Sequence, residues 1–361
     1  MSNKKKKTIG ILTSGGDCPG LNAAIRGVAK PAVEIYDMKV IGFSNGFQGL
    51  MEGNGKELKQ DDLSGILTLG GTILGTSRES FKKLRKSPDK IQKMLDTYKK
   101  FGLDCLVVLG GNGTHKTANL LSEKGLNVIG LPKTIDNDLY GTDLTFGFHS
   151  AVDIATDVID RIHSTAQSHG RVMIIELMGH DAGWLTLYAG IAGGADVILI
   201  PELPYSIERV IEKLSERQTE GKKFSIVAVA EGAMTIDEAN MSKKDYKAYY
   251  ESLPYPSMGY KVAAEIASKA AFEIRVTVPG YQQRGGQPSA YDRILSTKFG
   301  TYAINMISKN DYGKMVAISG NILTAIPLSD IAGKLKLVPK NHRLIKAGRL
   351  LNTSFGQPRK I

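Results

Sequence analysis

The sequence predicts an α/β chain with two doubly wound layers of mainly parallel sheet, on three observations. Short apolar runs alternate with longer segments of helical period along nearly the whole chain. Glycine-rich turns follow two of the apolar runs and lead straight into helical patterns. The 361 residues are 42% hydrophobic and 23% charged, which is enough apolar material for two or three compact units. Strands that alternate with helices need right-handed crossovers, so the strands lie parallel and helices cover both faces.

In chain order, the strand-like run 8–13 precedes a helical pattern at 21–35, which Pro31 interrupts because proline lacks the N–H that a helix interior uses. The lysine-rich stretch 82–100 reads as a solvated helix between units. Runs at 105–109, 128–131, 172–177, 197–200, 225–230, 275–278 and 315–318 read as strands. Segments 115–123, 151–162, 207–218, 259–271 and 290–308 read as helices. No repeat of fixed period is visible. The segment 340–361 carries a short helical pattern at 344–351 to which no function is assigned.

Charge and cysteine content narrow the class. The formal charge of +11 suits anionic ligands, but it is equally the mark of a soluble, self-repelling surface. Aromatics are only 7%, which disfavours a stacking platform for single-stranded nucleic acid, so nucleic-acid binding rests on charge alone and is not expected. Cys18 and Cys105 stand alone and far apart, without disulfide or metal-ligand spacing, as suits a reducing cytoplasm. The tail lysines Lys4, Lys5, Lys6 and Lys7 run into the first strand with no intervening apolar region, and no run approaches membrane-spanning length, so secretion and a membrane partner are not expected.

Three turns concentrate the chemistry. Thr13-Ser14-Gly15-Gly16-Asp17-Cys18-Pro19-Gly20 follows the first strand, and Gly110-Gly111-Asn112-Gly113-Thr114 follows the run 105–109. Glycines there let backbone amides face a phosphate, and the following helix presents its positive end. Neither turn has the lysine-bearing P-loop spacing, and either alone would be ordinary turn geometry. Together they could hold a polyphosphate at the carboxyl ends of the strands. The third turn, Pro132-Lys133-Thr134-Ile135-Asp136-Asn137-Asp138, places a cation, a hydroxyl and two carboxylates at a strand end. Phosphoryl transfer needs such a set; an isolated Asp-Asn-Asp would more often cap a helix. Further along, 167–171, Met178-Gly179-His180, Glu231-Gly232, Arg275 and Tyr281-Gln282-Gln283-Arg284-Gly285-Gly286 fall at strand ends. Arginines in such places suit a sugar phosphate. Glu231 could accept from sugar hydroxyls or cap its own loop. The histidines show no metal motif, and Trp184 reads as packing.

These motifs, in this order and over nearly the whole chain, resemble the 6-phosphofructokinase family, and its mixed-substrate subgroup in particular. The resemblance implies two similar Rossmann-like domains with the active site in the cleft between them. The donor (ATP) domain would comprise 1–147 plus 283–333, and the fructose 6-phosphate domain 148–282 plus 334–361. It implies Mg2+-dependent transfer to the sugar's 1-hydroxyl, a step of glycolysis, in a cytoplasmic homotetramer or homodimer. By position, Asp136 resembles the general base, with Thr134 and Asp138 catalytic beside it and Asp138 and Asn112 near the metal. Gly16, Arg78, Glu79, Gly111, Asn112, Gly113 and Thr114 match the donor site. Thr134, Ile135, Asp136, Met178, Gly179, His180, Glu231, Tyr281, Gln282, Gln283 and Arg284 match the sugar site, while Arg171 and Arg275 resemble arginines that reach a neighbouring subunit's 6-phosphate.

Three positions depart from that pattern: Asn112 replaces a metal-associated aspartate, His180 an arginine and Tyr281 a histidine. Donor choice turns on Gly113, which leaves space for the α-phosphate of ATP, against Lys133, which resembles pyrophosphate users. Steric exclusion outweighs an added charge, so ATP is expected. The alternatives are a pyrophosphate-dependent phosphotransferase, a non-catalytic sugar-phosphate-binding regulatory subunit, and a lipid or dinucleotide kinase resting on the Gly-Gly-Asn-Gly-Thr turn alone.

Overall fold

The computed structural model describes residues 6–358; Lys4 and Lys5 of the lysine tail, and residues 359–361 of the last segment, lie outside the described residues. The chain forms two compact units, Met1–Ser150 with Arg284–Lys336, and Ala151–Gln283 with Leu337–Ile361. The strands are β1 (Thr8–Thr13), β2 (Lys39–Phe43), β3 (Gly55–Glu57), β4 (Cys105–Gly110), β5 (Val128–Pro132), β6 (Val172–Leu177), β7 (Val197–Leu199), β8 (Ser225–Ala230), β9 (Ile274–Thr277), β10 (Lys314–Ser319) and β11 (Ile322–Pro327).

The first unit is a seven-stranded sheet in the order β11-β10-β5-β4-β1-β2-β3. Its middle strands pair in parallel, and antiparallel partners, β3 on β2 and β11 on β10, close the two edges. β4 is buried at every residue, as a parallel strand covered on both faces must be, and it therefore reads as an unbroken apolar run. Leu12, Phe43, Val108, Leu121, Val128 and Met315 meet in one core. Each such buried side chain stabilises the unit by about 1.5–3 kcal/mol relative to exposure. Helices Leu21–Glu34 and Ala290–Ser308 cross closely: a Cβ at Gly300 would lie 2.6 Å from the Gly27 carbonyl carbon, so only glycine permits this contact.

The second unit is a four-stranded sheet, β7-β8-β6-β9, parallel throughout. Ile174, Leu199, Tyr205, Val229 and Val262 form its core. Near the chain's end Ser354 bridges to Val197, and helix Arg343–Leu350 forms at the expected short helical pattern.

The α/β class with doubly wound, mainly parallel sheets is as the sequence predicts. Some local expectations are corrected. The stretch 82–100 is not a solvated helix between units: helix Pro88–Lys100 belongs to the first unit, and Ile91, Met94 and Tyr98, spaced three and four apart, enter its core while the lysines stay outside. Pro31 does not end the first helix, which runs on to Glu34. The strands β2, β3 and β11 are absent from the sequence reading. β2 holds only five residues, with Gly42 fourth among them, where leucine side chains of Leu58 and Leu74 take the place of a Cβ.

Candidate active site

The turn after β1 is held from several sides. The Ser14 amide donates to the Leu109 carbonyl (2.9 Å), and the Thr114 hydroxyl to the Ser14 carbonyl (3.3 Å), which ties the first glycine turn to the second. The Thr76 hydroxyl donates to the Gly15 carbonyl at 2.7 Å. A Cβ on Gly16 would stand 2.5 Å from Arg284 Nη1 and 3.3 Å from Arg78 Nη2, so glycine lets the backbone lie against two guanidinium groups. Arg284 Nη1 also donates to the Asp17 carbonyl (3.1 Å). The buried Lys133 ammonium donates to the Gly16 carbonyl, and burial draws its pKa down. The Gly15 amide is taken by the Ser77 carbonyl (3.0 Å), and the turn is lined by the cations of Arg78, Lys133 and Arg284, an arrangement suited to an anion.

The second turn leads directly into helix Asn112–Glu123, whose N-cap Gly111 supplies no side-chain cap. A Cβ at Gly113 would meet nothing within 4 Å, so the space above it is open. His115 lies under the turn, its Nδ1 2.9 Å from the Gly111 carbonyl, and burial pushes its pKa down to about 4. Asn112 faces away from a purely donor role: its Nδ2 is 3.4 Å from the Lys334 carbonyl, and its Oδ1 accepts from the Gly333 amide at 3.3 Å. Glu79 pairs with Lys90 at 3.4 Å.

The third turn leaves β5 with Lys133 bridged to Phe146. The Thr145 hydroxyl donates to the Thr134 carbonyl (2.7 Å), and the Asp136 amide to Thr134 Oγ1 (3.0 Å). Ile135 is fully buried. Asn137 stands between the two carboxylates in the left-handed region (φ 51°), its Oδ1 accepting from the Thr145 amide at 3.1 Å. Asp136 Oδ1 is buried with no protein partner, an expensive state that a substrate hydroxyl or a cation would relieve. Among the described residues no group of three or more His, Cys, Asp or Glu side chains could enclose a metal ion. Mg2+ needs no such cage. It takes one or two carboxylates and completes its shell from phosphates and water, and Asp138 supplies hard oxygens of that kind. No helix among the described residues is long and apolar enough to cross a membrane.

In the second unit, the loops after β6 and β8 meet at Glu231. Its Oε1 accepts from the amides of Gly179 (3.1 Å) and His180 (2.7 Å), so its capping role is present. A Cβ on Gly232 would lie 2.2 Å from the His180 carbonyl oxygen, which makes glycine obligatory there. The His180 side chain is exposed and pairs with Asp181 at 3.3 Å. Gln283 is wholly buried: its Oε1 accepts from the Met178 amide (3.2 Å) and its Nε2 donates to the Gly280 carbonyl (3.1 Å). Tyr281, by contrast, is 81% exposed, and Gln282 is exposed beside it.

Arg171 and Arg275 sit elsewhere. Arg171 precedes β6 and Arg275 pairs with Met173, so both lie at the amino ends of the strands, and both guanidiniums bond Glu273 Oε1 (2.7 and 2.9 Å). The six residues of β6 span about 20 Å, which separates these arginines from the Met178–His180 turn at the other end. Two contributors went unnoticed in the sequence. Thr145 had no motif to mark it, and Lys336 lies nearly two hundred residues beyond the loop it contacts, with Nζ 2.9 Å from Asn137 Oδ1.

The phosphofructokinase family model matches residues 8–307. An ATP-dependent 6-phosphofructokinase of Spirochaeta thermophila is 58% identical over 363 residues, covering 99% of this chain and 99% of that protein. A pyrophosphate–fructose 6-phosphate 1-phosphotransferase of Amycolatopsis methanolica is 44% identical over 331 residues, covering 92% of this chain and 96% of that one. Among solved structures, phosphofructokinase from Saccharomyces cerevisiae matches with a TM-score of 0.79 at 30% identity, over 90% of this chain and 45% of the yeast chain, so this chain spans less than half the yeast chain's length. With the family model covering most of its length and both sheets matching the architecture its motifs imply, the chain belongs to the phosphofructokinase family.

Proposed function

We propose that this protein transfers the γ-phosphoryl group of ATP to the 1-hydroxyl of fructose 6-phosphate, giving fructose 1,6-bisphosphate and ADP, as a cytoplasmic 6-phosphofructokinase of glycolysis. The observation that carries the reading is Asp136 Oδ1, buried and unpartnered in the loop after β5 of a unit whose two glycine turns are tied together and lined by Arg78 and Arg284. Asp136 takes the 1-hydroxyl proton, the freed oxygen bonds to the γ-phosphorus, and the bond to the β,γ-bridging oxygen breaks to release ADP. Thr134 holds the Asp136 amide and hence the carboxylate's direction. Gly16, Arg78, Glu79, Gly111, Asn112, Gly113 and Thr114 are assigned to the donor. Mg2+, held by Asp138 with Asn112 nearby, would neutralise charge on the transferring phosphate.

The sugar falls to Ile135, Met178, Gly179, His180, Glu231, Tyr281, Gln282, Gln283 and Arg284, with Glu231 and Gln283 shaping the 178–180 turn. Arg171 and Arg275 are assigned to the 6-phosphate of a neighbouring copy, in a homotetramer or homodimer. Their place at the amino ends of β6 and β9 supports that, since the sugar loops of their own unit follow the carboxyl ends. Open space at Gly113 supports ATP. Lys133, the feature favouring pyrophosphate, has its ammonium engaged by the Gly16 carbonyl. The test is formation of fructose 1,6-bisphosphate by the purified chain from ATP, Mg2+ and fructose 6-phosphate. ADP release that does not depend on the sugar would refute the reading.

A further inference from the structure

The segment 333–336, which closes the first unit, touches both the donor turn and the carboxylate loop. The Gly333 amide donates to Asn112 Oδ1 (3.3 Å), and Asn112 Nδ2 donates to the Lys334 carbonyl (3.4 Å). The Lys334 ammonium stands 5.3 Å over the Tyr140 ring, Leu335 forms an antiparallel bridge with Leu139, and the Lys336 amide donates to the Asp138 carbonyl at 2.8 Å. The contacts of the Lys336 ammonium bear most directly on the carboxylates. It donates to Asn137 Oδ1 (2.9 Å), the Thr142 carbonyl (2.9 Å) and the Asp143 carbonyl (2.8 Å). An ammonium has three N–H donors, and these are three acceptors converging from one loop.

We propose that the segment 333–336 is a positioning element for phosphoryl transfer, with Lys336 anchoring the Asp136–Asp138 loop and Asn112 tying that loop to the donor turn. Asn137 is the point on which the loop turns. It is buried and left-handed between the two carboxylates, and its single amide oxygen receives both the Thr145 amide and the Lys336 ammonium. A residue in that conformation persists only where its surroundings hold it. Losing the ammonium leaves the Asn137 oxygen held by Thr145 alone and leaves two carbonyls without that donor at once, and the Asp136 carboxylate drifts from the line of transfer. Asn112 thereby gains a role as an amide: it donates and accepts at once, which a carboxylate cannot do.

This inference rests on Asp136 being the proton acceptor, and its test separates the two. Lys336→Met keeps an unbranched apolar stem, one atom shorter, and removes every donor; Lys336→Gln, also one atom shorter, offers two N–H donors and serves if the methionine variant fails to fold. With rates expressed per folded site, kcat is expected to fall about 10- to 100-fold in Lys336→Met and less in Lys336→Gln, because small misplacement of a reacting group costs that much. KM for ATP and for fructose 6-phosphate should each stay within about threefold, the mark of an interaction that matters in the transition state and not in binding. Unchanged kcat in the folded variants, or a loss carried wholly by KM, would overturn the positioning role while Asp136→Ala remains inactive. A wild-type chain without sugar-dependent turnover would instead sink the reading beneath it.

Discussion

In the first unit the loops after β1, β4 and β5 are tied to one another, whereas in the second the loops after β6 and β8 depend on one carboxylate and one buried amide. Thr114 joins the two glycine turns, Lys133 joins the carboxylate loop to the first turn, and Asn112 and Lys336 join two of the loops through the segment 333–336. Glu231 and Gln283 hold the 178–180 turn by its amides, and the side chains around it, His180 and Tyr281, stand in solvent. The contrast suits the division of labour proposed. Charge that develops on a transferring phosphate is best met by groups already fixed, while a sugar can be gathered by side chains that settle around it.

The largest break in that contrast is Asp136→Ala. Removing the proposed proton acceptor from the fixed unit should lower turnover by about 100-fold or more while fructose 6-phosphate still binds, as measured by steady-state rates beside calorimetric titration. Near-full activity would remove Asp136 from the chemistry.

Acid should loosen the fixed unit through His115. Burial holds its imidazole down to about 4, against an ordinary 6.5, so below pH 6.5 the unfolded chain takes up a proton that the native chain refuses. Stability is therefore full above pH 6.5 and declines as the pH falls toward 4, by roughly 3 kcal/mol at most for a fully buried ring. Urea midpoints at pH 7 and pH 4.5 should show a smaller gap in His115→Gln than in the wild type. An unchanged gap would assign the acid loss to other groups.

Gly113→Asp sharpens the comparison at the donor. A carboxylate placed in the open space above the second turn meets the donor's own negative charge, and kcat/KM for ATP should drop about 30- to 100-fold, with KM for the sugar nearly unmoved. Gly232→Ala addresses the adaptable unit. Its methyl would collide with the His180 carbonyl and displace the turn, so KM for fructose 6-phosphate should rise about tenfold with little change in kcat. Equal effects of these two changes on both substrates would erase the distinction between the units.

The legible parts of the molecule are those with local causes. Alternating apolar runs mark buried parallel strands, and glycines mark turns where a backbone must approach a ligand or another chain segment, so β1, β4, β5 and their loops could be read directly. The loop 132–138 was readable because unlike chemical groups crowd one strand end. What stayed hidden depends on distant partners. The helix Pro88–Lys100 looked solvated because its four lysines match in number the residues it buries, Ile91, Met94, Thr97 and Tyr98. Arg284 is assigned to the sugar by its neighbours in sequence, and the approach of its guanidinium to Gly16 adds a contact that no local motif announces. Lys336 carries no motif, and its importance comes from acceptors near residue 140 that only folding brings to it.

The central claim is that the fixed unit presents a nucleoside triphosphate to a sugar hydroxyl activated by Asp136. Its most direct test follows phosphorus by NMR in the purified protein with Mg2+ and fructose 6-phosphate, supplied with either ATP or pyrophosphate. The expected result is a growing 1-phosphate resonance with matching ADP signals, faster from ATP than from pyrophosphate. Faster growth from pyrophosphate, or no sugar bisphosphate from either donor, would contradict it.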